Sequence, residues 1–145
     1  MSRRSRAREI VLQILYQDEF NDSGDEARQQ AFLRARLSPA EGLIDLANEL
    51  LSGVRQRRVR IDELLKKWSE RWDISRMPAV DRNILRLGAF EIVWFGTPKP
   101  VAVNEAILLA KRYGHEQSFQ FINGILDRLS PSDATDSSIP INGDP

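Results

Sequence analysis

Apolar residues along this chain recur every three or four positions, the spacing of one helix face, and no stretch alternates as a half-buried strand would. Over residues 3–20 that spacing lines up Ala7, Val11, Ile14 and Leu15. The turn-prone run Asn21-Asp22-Ser23-Gly24 follows, and a weaker helix is predicted over 25–37. Ser38-Pro39-Ala40-Glu41 has the form of a capping box with proline at the first helical position. The helix it opens carries Leu43, Leu46, Ala47, Leu50, Leu51 and Val54 on one face, with Gly53 weakening it near its end. The next helix, about 55–72, is expected to bury Ile61, Leu64, Leu65, Trp68 and Trp72 and to turn its basic residues outward.

Pro78 starts the helix predicted to be central, 79–95. Its run from Ile84 to Phe95 is apolar nearly all round, so it has to be covered on several sides, and Gly88 and Ala89 would let a neighbour come close. Gly96-Thr97-Pro98-Lys99-Pro100 breaks the chain. A helix over about 101–113 should point Val103, Ala106, Ile107, Ala110 and Tyr113 inward and end on Gly114 as a left-handed cap. The last helix, about 116–130, sets Ser118, Ile122, Ile125, Leu126 and Leu129 on one face before Pro131. The sum is all-α: one domain over 1–130, a bundle of roughly seven helices. Residues 131–145, rich in Ser, Asp and Pro, cannot bury enough to order and are expected to form a disordered acidic tail.

Composition narrows the chemistry. The 145 residues include no cysteine and one histidine, His115, which removes thiolate chemistry and most zinc and imidazole schemes. No cofactor or metal is therefore expected. No apolar run is long enough for a membrane span, and the arginines before IVLQILY lack the cleavage site of a signal peptide, so the cytoplasm is the expected location. Net charge is zero, but its distribution is uneven. Residues 1–10 hold Arg3, Arg4, Arg6 and Arg8 against Glu9 alone, residues 55–67 are again basic, and 131–145 carry only acids. A basic start and an acidic end point to a polyanion site with a separate solvated tail.

The arginine cluster is the first candidate. On a helix Arg4 and Arg8 share a side, and both are expected to stand clear of the bundle, offering planar donors to phosphate. A frayed, solvated terminus fits the same spacing, and a helix lying on anionic lipid fits it less well because the apolar stripe is needed for the core. Tyr16 lies off the apolar stripe, where it could stack a base, meet a partner or cover the central helix. Phe119 and Phe121 flank the inward face of the last helix; beside Asn123, Phe121 could form a stacking platform for single-stranded RNA or simply edge the core. His115 reads as a loop residue. Asp81, Glu91 and Glu105 lie near helix starts or on buried helices, where for Asp81 and Glu105 the helix dipole is reason enough for them. No metalloprotease, P-loop, dinucleotide or nucleophile-elbow motif occurs.

Three stretches together carry a resemblance. They are Arg6-Ala7-Arg8-Glu9 running into Leu15-Tyr16-Gln17, the run Arg76-Met77-Pro78-Ala79-Val80-Asp81-Arg82-Asn83 through Gly88-Ala89-Phe90-Glu91, and Val101-Ala102-Val103-Asn104-Glu105-Ala106-Ile107 with Phe121-Ile122-Asn123-Gly124-Ile125-Leu126-Asp127. In order and spacing these resemble the NusB family of bacterial transcription antitermination factors, over about residues 3–130. The resemblance implies two helical sub-bundles, binding to the boxA element of ribosomal RNA leader transcripts, and a heterodimer with NusE, a small-subunit ribosomal protein. That pair loads an antitermination complex on RNA polymerase without catalysis.

By matching position, the resemblance places RNA contacts on Arg4, Arg6, Arg8, Gln117, Ser118, Gln120, Phe121 and Asn123. It places the protein-partner side around Tyr16, Asp81 and Glu91. Ser5 stands where the family often has arginine, and Gln117 and Gln120 replace positions commonly acidic and basic. Leu108 replaces a usual glutamate near the apolar Ile92-Val93-Trp94-Phe95, an exposed patch expected to meet a partner or a second copy in a homodimer. A NusB-like domain also precedes the catalytic domain of a ribosomal RNA cytosine methyltransferase. This chain ends 15 residues after position 130, too few for such a domain, so an adaptor is expected over an enzyme. A protein-binding helical scaffold without RNA is the third reading.

Overall fold

A computed structural model describes residues 2–21, 24–69 and 73–135. Seven α-helices and no strand occur among them: α1 (Arg3–Asp18), α2 (Glu26–Leu37), α3 (Glu41–Gln56), α4 (Arg58–Trp68), α5 (Ala79–Phe90), α6 (Lys99–Tyr113) and α7 (Ser118–Asp127). Local chemistry opens the first two. The Ser2 hydroxyl accepts from the Ser5 amide at 3.0 Å, and the Asp25 carboxylate accepts from the Ala27 amide at 2.9 Å. Each satisfies an amide that would otherwise lack a partner.

Helices α1, α2 and α3 pack on one another, and α4, α6 and α7 gather on α5. Because α5 also touches α1 and α3, it is the hub of both groups. This is the helix whose apolar run demanded cover on all sides, and Asp81 and every residue from Asn83 to Val93 are buried. One continuous core results, from Ala7 on α1 to Leu129 beyond α7. Gly88 permits the tight α5–α7 crossing: a Cβ there would lie 2.8 Å from Leu126 Cδ1.

Several local expectations are corrected. The helix expected over 79–95 changes its winding at Glu91, and Glu91–Phe95 form a π-helical turn that ends on Gly96 at φ +83°. The left-handed cap is thus Gly96 and not Gly114, whose φ is −95°. Gly114 is needed for space: a Cβ would come within 2.8 Å of the Ala110 carbonyl and 2.9 Å of the Ser118 hydroxyl. The Ser38 capping box does not form: α3 starts only at Glu41, so Ala40 is its N-cap residue and makes no side-chain cap. The buried face of α6 is Ala102, Ala106, Leu109 and Ala110, leaving Tyr113 exposed, since α6 has both α5 and α7 to cover.

The chain after α7 also differs from expectation in its first part. Pro131–Thr135 form a 3-10 turn against the π-helical turn. Asp133 is buried there, accepting from the Ser130 amide at 2.8 Å and from Trp68 Nε1 at 3.4 Å. Arg60 donates to the Ala134 carbonyl. A disordered tail therefore cannot start at 131; residues 136–145, and Trp72, lie outside the described residues.

Candidate nucleic-acid interface

Helix α1 presents its arginines to different surroundings. Arg3 and Arg4 are exposed and Arg6 is half-buried. Arg8 is 2% exposed, which corrects the expectation that it stands clear of the bundle. The reason is that α1 already meets α6 in its first turn, through Ser5 and Glu105, so the core side begins at Ser5. Arg8 Nε donates to Glu91 Oε2 at 2.9 Å and Nη2 to Oε1 at 2.7 Å, a forked pair between two buried residues. Glu105 Oε1 lies 3.7 Å from Arg8 Nη1, and the Ser5 hydroxyl sits 2.7 Å from Glu105 Oε2. Thr97 Oγ1 donates to Glu91 Oε1 at 2.9 Å. Burial pulls the Arg8 pKa down, but the bond to Glu91 and the charges of Glu91 and Glu105 outweigh it and raise the value, so the guanidinium stays charged.

Glu91 was expected on the protein-partner side; buried in this pair, it holds α1 to α5 and no partner can reach it. Sequence reasoning missed a second set of contacts on α1. Glu9, 1% exposed, takes Arg6 Nη1 at 2.8 Å and has Arg112 Nε 3.6 Å from its other oxygen. Gln13 Nε2 donates to the Tyr113 hydroxyl at 3.5 Å. These join the arginine end of α1 to the last turn of α6, from which residues 114–117 lead into α7. The basic pair Lys111-Arg112 was the available signal.

At the start of α7, Gln117, Gln120 and Asn123 are exposed and Phe121 is half-buried. Ser118 is 1% exposed, and its hydroxyl accepts from the His115 amide at 2.9 Å. Its role is therefore to hold the loop in place, and the expected direct contact with RNA is corrected. Asp81 packs beneath it. At 1% exposed with Oδ1 lacking a hydrogen-bond partner, Asp81 cannot be a docking residue, which corrects its assignment to the partner side.

Desolvation raises the Asp81 pKa above 3.8, with the Ser118 hydroxyl and the His115 charge pulling the other way. A raised folded-state value means that the native chain holds this proton more tightly than the unfolded one. The contribution is complete below 3.8 and is lost as pH rises through the folded value. Asp81→Asn should therefore gain stability relative to the parent as pH is raised from 3.8, in urea melts at a series of pH values. A difference independent of pH would show that the carboxyl is solvated.

The opposite end of α1 carries a different surface. Tyr16 is 40% and Phe20 63% exposed, with ring centroids 5.0 Å apart. Behind them Glu19 binds Arg82 at 2.6 Å and Asn83, with Arg86 at 3.5 Å; Arg86 in turn pairs with Asp62 at 2.8 Å. On α6, Leu108 and Val101 are exposed, one helical face apart by seven positions. The patch expected around Leu108 is smaller than its sequence promised, because Ile92 and Val93 are buried and Trp94 and Phe95 half-buried. Among the described residues no three His, Asp or Glu side chains are grouped to hold a metal.

The profile of the NusB family matches residues 5–131, nearly all of the described chain. The chain belongs to the NusB family. It is 42% identical over 129 residues to a transcription antitermination protein NusB from Anaeromyxobacter dehalogenans, covering 89% of this chain and 91% of that one. It is 45% identical over 134 residues to its counterpart in Desulfitobacterium hafniense, at 91% and 90% coverage. Among solved structures, T. maritima NusB superposes with a TM-score of 0.75 at 36% identity, covering 88% and 89% of the two chains. A structure of antitermination factors NusB and NusE in complex with double-stranded RNA gives 0.76 at 23% identity, covering 88% of this chain and 95% of that one. That likeness speaks for the fold. On this NusB fold the exposed members of the expected RNA set are Arg4, Gln117, Gln120 and Asn123, with Arg6 and Phe121 partly covered.

Proposed function

We propose that the chain is a non-catalytic transcription antitermination factor acting by binding. In this reading it holds boxA-type single-stranded RNA of ribosomal RNA leader transcripts together with the NusE ribosomal protein, and helps load the antitermination complex on RNA polymerase. What carries the reading is the identity, along nearly the whole of both chains, to relatives named for transcription antitermination. The exposed arginines at the start of α1 supply the polyanion surface, reached from α7 through the end of α6. The Tyr16–Phe20 pair is the surface offered to NusE. The work would be done in the cytoplasm; among the described residues no helix is long and apolar enough to cross a membrane.

The test is binding of a short boxA-like RNA and a scrambled control, with and without NusE. The boxA-like RNA should bind in preference and more tightly with NusE present. About three phosphate contacts predict a log–log salt slope near −2, and Arg4→Ala should make it shallower by about 0.7. A slope near zero, with no preference between the RNAs, would favour a scaffold that binds only proteins.

A further inference from the structure

A groove of about 550 Å³ runs between the first turns of α1 and the turn joining α2 to α3. Its walls include Arg3 and Arg6 from α1 and Arg36 from the last turn of α2. Its apolar floor is Leu37, Pro39 and Leu43, and among the described residues no carboxylate lines it. Glu9, buried behind Arg6 and shared with Arg112, offsets part of this charge. Three guanidiniums around one concavity repel each other in water, and an anion between them relieves that repulsion. Arg36 also has an aromatic neighbour: its Cζ lies 4.8 Å from the centroid of the Phe32 ring, a contact that favours one placement of the guanidinium.

Resting on the RNA-binding reading above, we propose that this groove takes one further nucleotide of the same RNA, beyond the segment held by Arg4 and the start of α7. Arg36, with Arg3 and Arg6, binds its phosphate, and the base lies on Leu37, Pro39 and Leu43. The size suits one nucleotide with its phosphate, and the composition suits it too, since an apolar floor accepts any base face while guanidiniums accept the charge. The groove is continuous with the arginine end of α1, so the strand need not leave the protein to reach it. No signal in the sequence singled out Arg36; its place beside α1 comes from the pairing of α2 and α3 against that helix.

The experiment compares a minimal boxA-like RNA with versions extended by two nucleotides at either end, using the full chain, its Arg36→Ala variant and Arg4→Ala. For the parent, one extension should tighten binding about fivefold, the upper end of what one exposed charge contact gives. Arg36→Ala should abolish that gain, bind the minimal RNA as the parent does, and make the salt slope on the extended RNA shallower by about 0.7. Arg36→Lys, which keeps the charge but loses the planar edge, should recover part of the gain. Arg36 is exposed, so its truncation leaves the core intact. If Arg4→Ala weakens all the RNAs while Arg36→Ala weakens none, the groove proposal is overturned and the RNA reading stands. A loss on Arg36→Ala confined to NusE binding also overturns it, in favour of a protein-docking groove. A parent that binds none of the RNAs overturns both.

Discussion

Arg8→Ala should cost about 3–5 kcal/mol of stability, far more than its neighbour Arg4→Ala, which should stay within about 0.5 kcal/mol. The difference lies in what is left behind. Removing Arg8 strips the buried Glu91 of its guanidinium bonds and leaves it the Thr97 hydroxyl. Glu105 loses a cation 3.7 Å away and retains Ser5. A charge buried without its partner is penalised by desolvation that nothing offsets, which exceeds what the pair contributes against an apolar alternative. Glu91→Gln should therefore soften the effect, and a double-mutant cycle on urea melts should return a coupling well above 1 kcal/mol. A loss below about 1 kcal/mol for Arg8→Ala would mean that water reaches the pair. The result bears on function as well. An RNA-binding defect in Arg8→Ala would follow from a dislodged α1, and only Arg3, Arg4 and Arg6 can report direct contact from this helix.

Gly53→Ala should destabilise the fold by about 3 kcal/mol, against the gain of up to about 1 kcal/mol that helix propensity alone would give. A Cβ at this position would lie 2.0 Å from Phe90 Cζ, with the two neighbouring ring carbons at 2.5 and 2.6 Å. The tip of the ring points at the α3 backbone, and the ring is 4% exposed. Phe95 lies 5.7 Å from it and Arg57 6.0 Å. It can yield only by moving other packed groups. In a Phe90→Ala background the same Gly53→Ala change should become neutral or favourable, because the clash is gone and the propensity gain remains. Thermal or urea unfolding decides the sign, and a more stable Gly53→Ala would show that the α3–α5 contact is loose enough to repack.

What could be read from sequence divides along a physical line. Periodicity places the helices because a helix must bury one face, and the uninterrupted apolar run from Ile84 predicted that α5 would be covered on all sides, as it is. Gly53 shows the limit: its effect on the helix was legible, but the ring it admits sits 37 positions away, on another helix. Arg8 shows the limit more strongly. A charged residue in a basic terminal segment reads as solvated, and the carboxylate that buries it is 83 positions distant. Glu91 and Asp81 were put on the partner side by the resemblance, whereas the pattern alone had set them near helix starts or on buried helices; both are buried. Ser118 and Gly114 were read as site and cap, and both prove to serve a crowded junction with Asp81. Arg4, Gln117, Gln120 and Asn123, expected as RNA contacts, are exposed, because a polar side chain on a helix flank needs no distant partner to stay there.

The forked bond between Arg8 and Glu91 also sets how the amino end moves. Helix ends ordinarily fray through the first turn, and their amides exchange with solvent at nearly the rate of an unfolded chain. Here Ser5 ties the first turn of α1 to Glu105 on α6, and Arg8 ties the second to Glu91 at the end of α5, so the amides of residues 6–9 should exchange with deuterium only when α1 lifts off both as a unit. The exposed arginines thus ride on a segment that is already ordered, and under the proposed function little ordering entropy would remain to be lost on binding RNA.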